Sequence, residues 1–142
     1  MAELVRGPLD VARMGAAAAH PSCGAIASFA GTTRDHHEGR RVVRLEYEAY
    51  ERMALAALGG IERAALERFA VRSCAIAHRL GEVPAGEASV VVVVAAEHRG
   101  PAFDACRWAM DEVKRVVPIW KKEHFEAGPP AWVEGKPLSP EA

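Results

Sequence analysis

Five consecutive valines at positions 90–94, followed by Ala95 and Ala96, leave this chain the fewest ways to fold. Branching at Cβ stiffens these side chains and favours extended backbone. An apolar run without alternation has to be covered on both faces, and this one is far too short to cross a bilayer. Residues 88–96 therefore read as a strand buried on both faces.

Around that strand the sequence offers both periods. Residues 42–50 alternate, with Val43, Leu45, Tyr47 and Ala49 on one face and Arg44, Glu46, Glu48 and Tyr50 on the other, as a half-buried strand requires. Residues 51–69 put Ala54, Leu58, Ile61, Ala65 and Phe69 on one helical stripe, where Gly59 and Gly60 would allow close packing. Residues 23–32, small and apolar with Ile26 and Phe29 inside, read as a buried strand, and residues 71–80 as another. Gly81, Pro84 and Gly86 suit a hairpin from the latter into the valine strand. Asp10 is placed to cap a short helix over residues 10–19, ended by Pro21. Pro101 opens a second long helix that Pro118 stops near Val117, and residues 130–133 add a short last strand. Residues 33–41 read as a polar loop able to act as a lid, and the tail after about residue 135 as loose. The expected architecture is one α+β domain over residues 1–142, with a largely antiparallel sheet and packed helices.

Charge excludes some functions. Eighteen basic against nineteen acidic residues give a net charge of -1, so nothing drives the chain as a whole toward nucleic acid or an anionic membrane. Any anion site has to be local. Cys23, Cys74 and Cys106 are odd in number and form no C-x-x-C pair, which fits neither a disulfide framework nor a zinc ribbon. They read as core residues of a reducing compartment. With no charged segment leading into a long apolar core near residue 1, a cytoplasmic location is expected.

Local anion chemistry has several candidate places, Arg34 after the first apolar strand among them. His98 and Arg99 stand where the valine strand hands over to a helix, and the free N–H groups and dipole of a helix start favour an anion. The competing reading is a solvated loop charge beside a structural histidine. On the helix, Phe103, Arg107, Met110, Lys114 and Val117 share a narrow sector, so Lys114 borders an apolar face. A lysine there also serves by snorkelling. Asp111 is placed to pair with Arg115. In the extended segment after Pro118, Lys121 and Lys122 point to opposite faces, one of them inward, unless both only protect an edge. Trp120 reads as packing, and His78 and Arg79 as structural or partner-facing. His36 and His37, adjacent on a loop with no third ligand, do not make a metal site.

Taken in order, Phe29-Ala-Gly-Thr-Thr-Arg34, Leu45-Glu-Tyr-Glu-Ala-Tyr50, His78-Arg-Leu-Gly81, His98-Arg99, Met110-Asp-Glu-Val-Lys114, Pro118-Ile-Trp-Lys-Lys-Glu123 and Trp132-Val-Glu134 resemble the large subunit of molybdopterin synthase, the MoaE family. The resemblance implies an α/β hammerhead-like fold and a homodimer carrying a small ubiquitin-like subunit of MoaD type at each end. It implies a sulfurtransferase that moves sulfur from the partner's C-terminal Gly-Gly thiocarboxylate to cyclic pyranopterin monophosphate, making the dithiolene of molybdopterin without a cofactor of its own. By motif, it gives Lys114 and Lys121 the catalytic roles and places Arg34, His98 and Arg99 around the substrate. Lys136 falls where the family often has an arginine from the neighbouring subunit, and Thr33 where valine is common. Lysine keeps the charge but loses the bidentate fork. A thiocarboxylate already carries the nucleophilic sulfur, so no cysteine is required. Lysines crowded by other cations would lean toward the neutral, proton-accepting form. A non-catalytic anion-binding module and a scaffold for a ubiquitin-like tail stay open as rivals; only the enzyme requires the two lysines to meet at one pocket.

Overall fold

The computed structural model describes residues 1–133. In chain order the elements are β1 (Glu3–Val5), α1 (Val11–Ala18), β2 (Ala25–Thr32), β3 (His36–His37), β4 (Arg40–Ala49), α2 (Glu51–Arg68), β5 (Ser73–Arg79), β6 (Gly81–Pro84), β7 (Ala88–Ala96), α3 (Arg99–Val116), β8 (Ile119–Phe125) and β9 (Ala131–Trp132). The described residues form the α+β domain with a mostly antiparallel sheet arrangement that the periodicities require.

Two sheets divide the strands. The first has the order β1-β5-β7-β2, with β1 and β5 parallel and the other pairs antiparallel. The valine strand β7 lies between β5 and β2 and is buried on both faces, as its composition demands. Val90, Val92, Val94 and Ala96 pack under α2 and α3, while Val91 and Val93 meet Met14 of α1 on the other side. All five valines are buried. Asp10 caps α1, its carboxylate accepting the Arg13 N–H at 2.9 Å. In α2 the buried residues are Ala54, Leu58, Ile61 and Ala65, and Phe69 packs against Trp108 with ring centroids 5.7 Å apart. The second sheet runs β3-β4-β8-β9, with β6 added on β4.

Several local expectations are corrected. The link from β5 to β7 is not a plain hairpin turn: Gly81, at φ +81°, turns the corner, and β6 leaves the first sheet to pair with β4 in the second. Residues 36–41 are not a loop but a two-residue β-hairpin, because Glu38 (φ 51°) and Gly39 (φ 81°) adopt the positive angles of a tight hairpin turn. Alternation in β4 breaks at Val43. The ladder to β8 steps from Val42 to Arg44 against a single step from Phe125 to His124, so Val43 is a bulge residue and Val42 takes the buried place. Gly59 and Gly60 bring no other element close; an added Cβ at either meets only the flexible end of Arg63. Arg115 pairs with Glu112, through two bonds of 3.0 and 2.8 Å, rather than with Asp111. The strand over residues 25–32 is not buried: β2 lies at the edge of its sheet with Ile26 and Phe29 exposed, because only β7 pairs with it. The three-residue β1 had no signal of its own.

A second bulge matters more for function. Between β2 and β7 the register passes from Gly31↔Val90 to Thr32↔Ala88, leaving Ser89 as the extra residue on β7. The hydroxyl of this buried serine is re-aimed toward the junction of the two sheets, donating to the Gly31 carbonyl at 3.3 Å.

Candidate active site

A cavity of about 380 Å³ opens where the two sheets meet the C-terminal turn of α3. Lys114 from α3 and Lys121 from β8 both line it, so a helix end and a strand converge on one space. Helical spacing puts Lys114 one turn beyond the buried Met110 and beside the buried Val113 and Val117. Strand alternation turns Lys121 toward the cavity and Lys122 away, where its ammonium lies 4.6 Å from the centroid of Trp132. Phe29 and Trp120 supply aromatic wall, and Trp120 is itself braced edge-on by Tyr50 at 5.0 Å.

The floor is polar but uncharged. Tyr47, His78 and Ser89 line it. The Tyr47 hydroxyl donates to Ser89 Oγ at 3.2 Å, and burial pushes the phenol's pKa above its ordinary value, so it stays protonated. His78 stacks edge-on against Tyr47, centroids 5.0 Å apart, and its Nδ1–H donates to the Arg79 carbonyl at 2.8 Å. Burial lowers the imidazole's pKa to about 4, so the ring is neutral near neutral pH. Sequence reasoning missed this floor: His78 and Arg79 read only as structural or partner-facing. Arg79 is buried and bonded to Glu87 at 2.8 Å.

No cysteine lines the cavity. Cys74 and Cys106 are buried core residues, whereas Cys23, expected in the core with them, is only half-buried just before β2; burial raises the Cys74 thiol to about 12 and pushes Cys106 up as well. Neither is a ready thiolate.

The remaining sequence candidates are spread out. Arg34 is exposed two residues past Thr32, a lining residue, and so lies at the cavity end of β2. His98 and Arg99 are exposed at the opposite end of the sheet, where Ala25 pairs with Ala96. Arg99 and Lys114 sit at the two ends of α3, about 22 Å apart along its axis. One chain therefore does not gather all five residues around one ligand. Lys136 lies outside the described residues. His36 and His37 turn to different partners, Asp35 at 2.9 Å and Glu123 at 2.6 Å. Among the described residues no three His, Cys, Asp or Glu side chains are grouped to hold a metal ion, and no helix is long and apolar enough to cross a membrane.

Similarity to known proteins agrees with this geometry. The family model described as MoaE protein matches residues 4–116. The molybdopterin synthase catalytic subunit of Oryza sativa subsp. indica is 53% identical over 130 residues, covering 92% of this chain and 67% of the relative. The crystal structure of molybdopterin synthase from Staphylococcus aureus superposes with a TM-score of 0.87 at 32% identity, covering 92% of this chain and 95% of that one. A complex of subunits 1 and 2 of the molybdopterin-converting factor from Helicobacter pylori shares the fold, with a TM-score of 0.77 at 22% identity over 94% of this chain and 90% of that one. On sequence and fold together, the chain belongs to the MoaE family.

Proposed function

We propose that this chain is the catalytic subunit of a molybdopterin synthase, a sulfurtransferase of molybdenum cofactor biosynthesis working in the cytoplasm. The observation that carries the reading is the convergence of Lys114 and Lys121 on one aromatic-walled cavity that contains no cysteine. The sulfur then arrives from outside, as the C-terminal thiocarboxylate of a small ubiquitin-like partner. Its acceptor is cyclic pyranopterin monophosphate. The chain's own task is to stabilise the negative charge that develops as sulfur adds and the carrier is hydrolysed, and to move protons. Two ammonium groups at the edge of a low-dielectric cavity suit that task better than they would in water.

His98 and Arg99 enter this reading through a second copy of the chain. The length of α3 keeps them from their own chain's lysines, while the start of a helix remains a good cradle for a cyclic phosphate. In a symmetric dimer one chain supplies the lysines and Arg34, and the other supplies His98, Arg99 and, by the family resemblance, Lys136. The edge strand β2 bears the exposed Ile26 and Phe29, and Phe103 of α3 is also exposed; such surface fits burial against the second copy.

Reconstitution tests the reading. Purified chain, thiocarboxylated small subunit and the pyranopterin should yield the dithiolene product. Product formed equally well when this chain is omitted would overturn it.

A further inference from the structure

The cavity floor has a hydrogen-bonding polarity opposite to that of the lysines. A carbonyl oxygen only accepts, so the bond from His78 to the Arg79 carbonyl fixes the proton on Nδ1 and leaves Nε2 a lone-pair acceptor. Nε2 has no hydrogen-bond partner among the described residues. It is not one of the fully enclosed unpartnered atoms either, which are Thr33 Oγ1, Arg44 Nε and Arg79 Nε. The ring lines the cavity, so a bound molecule can reach it. Beside it, the Tyr47 hydroxyl spends its proton on Ser89, whose own proton goes to the Gly31 carbonyl, so the phenolic oxygen also has lone pairs to offer. Two neutral acceptors, carried on rings whose centroids are 5.0 Å apart, thus line a cavity whose donors are cationic.

We propose that His78, through Nε2, together with the Tyr47 oxygen, selects the heterocycle of the substrate by accepting its ring N–H donors. The inference rests on the functional reading above and adds a specificity role to two residues. Cations near the mouth attract the phosphate and the thiocarboxylate without distinguishing one anion from another. Discrimination comes from the floor, because an acceptor in a desolvated site left without a donor penalises a ligand that cannot supply one. The aromatic walls of Phe29 and Trp120 favour a flat heterocycle over the peptide tail of the carrier as the source of that N–H. His78 serves as an acceptor rather than a general base, since at neutral pH its imidazole holds a proton too weakly to take one from a lysine.

The test titrates cyclic pyranopterin monophosphate into the protein without the carrier, and separately the carrier without the pterin. A glutamine side chain places an oxygen near the position of Nε2, whereas an asparagine reaches only that of Nδ1. His78→Phe and His78→Asn should weaken pterin binding about tenfold, His78→Gln should recover most of it, and carrier affinity should not move. In turnover, KM for the pterin should rise in the Phe and Asn variants with kcat changed much less. If His78→Phe does not fold, the comparison of Gln with Asn carries the test. Equal pterin affinity in the Gln and Asn variants, or a loss confined to carrier binding, overturns the inference and leaves the functional reading standing. An unsubstituted protein that binds no pterin overturns both.

Discussion

Tyr47 and Lys121 face each other directly across the β4–β8 ladder. Directly opposed residues of a sheet send their side chains to the same face, and both of these line the cavity. Tyr47 in turn touches His78 of β5 and bonds to Ser89 of β7, so a single residue joins the catalytic candidate of one sheet to the polar floor built by the other. Moving the two sheets apart would separate the lysine and Tyr47 from His78 and Ser89. That gives the Gly81 corner and the Ser89 bulge a functional reason as well as a topological one.

The cavity's lack of a thiol has a direct consequence. Replacing Cys74 and Cys106 by alanine, one at a time, should leave the rate of sulfur transfer within about twofold of the unsubstituted protein, with about 1 kcal/mol or more of stability lost from core truncation. Single-turnover kinetics beside urea denaturation check this. A loss on the order of 100-fold in a folded variant would mean that sulfur passes through the chain.

Stability should fall with acid in a way that His78 accounts for. The unfolded imidazole takes a proton near pH 6.5, and the folded one refuses it until about pH 4, so protons favour the unfolded state across that window. The full contribution of the neutral ring is present above the unfolded value and is lost as pH falls toward the folded one. Between about pH 7 and about pH 4.5 the loss should be on the order of 2 to 3 kcal/mol. Urea unfolding of the unsubstituted protein and of His78→Gln at both pH values separates the imidazole's contribution from that of other titrating groups. A difference that does not change with pH would place the imidazole in water rather than in the core.

Leu58, on the α2 face that meets the sheet, is fully buried and packs in the same core as Val92 and Val94. Leu58→Ala should cost roughly 2 to 5 kcal/mol in equilibrium unfolding, while exposed Leu66→Ala should stay within about 0.5 kcal/mol. Equal costs at the two positions would contradict the packing of α2.

Legibility in the sequence followed the length of each signal. The five valines, the stripe from Ala54 to Ala65 and the Pro101-to-Pro118 bracket gave β7, α2 and α3 because each repeats its message over several turns or residues. Three short strands escaped, since β1, β3 and β6 span three, two and four residues and are held by pairing rather than by their own pattern. The Val43 and Ser89 bulges were equally out of reach: a bulge is a property of register between two strands, not of one. In the site, strand alternation separated Lys121 from Lys122 correctly. Bringing Lys121 to Lys114 needed the tertiary fold or the family resemblance. The acceptor character of His78 is not legible in the sequence, because its tautomer depends on a backbone carbonyl that only the folded chain supplies. Sequence proximity to α3 does not bring His98 and Arg99 to the lysines within one chain, because α3 holds the two sets at opposite ends.

The central claim is that Lys114 and Lys121 act on the sulfur-transfer step itself. Single-turnover product formation tests it most directly, with saturating thiocarboxylated partner and pterin, for Lys114→Ala and Lys121→Ala variants whose folding has been verified by thermal melts. Loss of groups that stabilise charge chiefly in the transition state should slow each variant by about 100-fold or more at nearly unchanged stability. Product formation by both variants at the rate of the unsubstituted protein would contradict the claim and return the two residues to a snorkelling helix lysine and the guard of a strand.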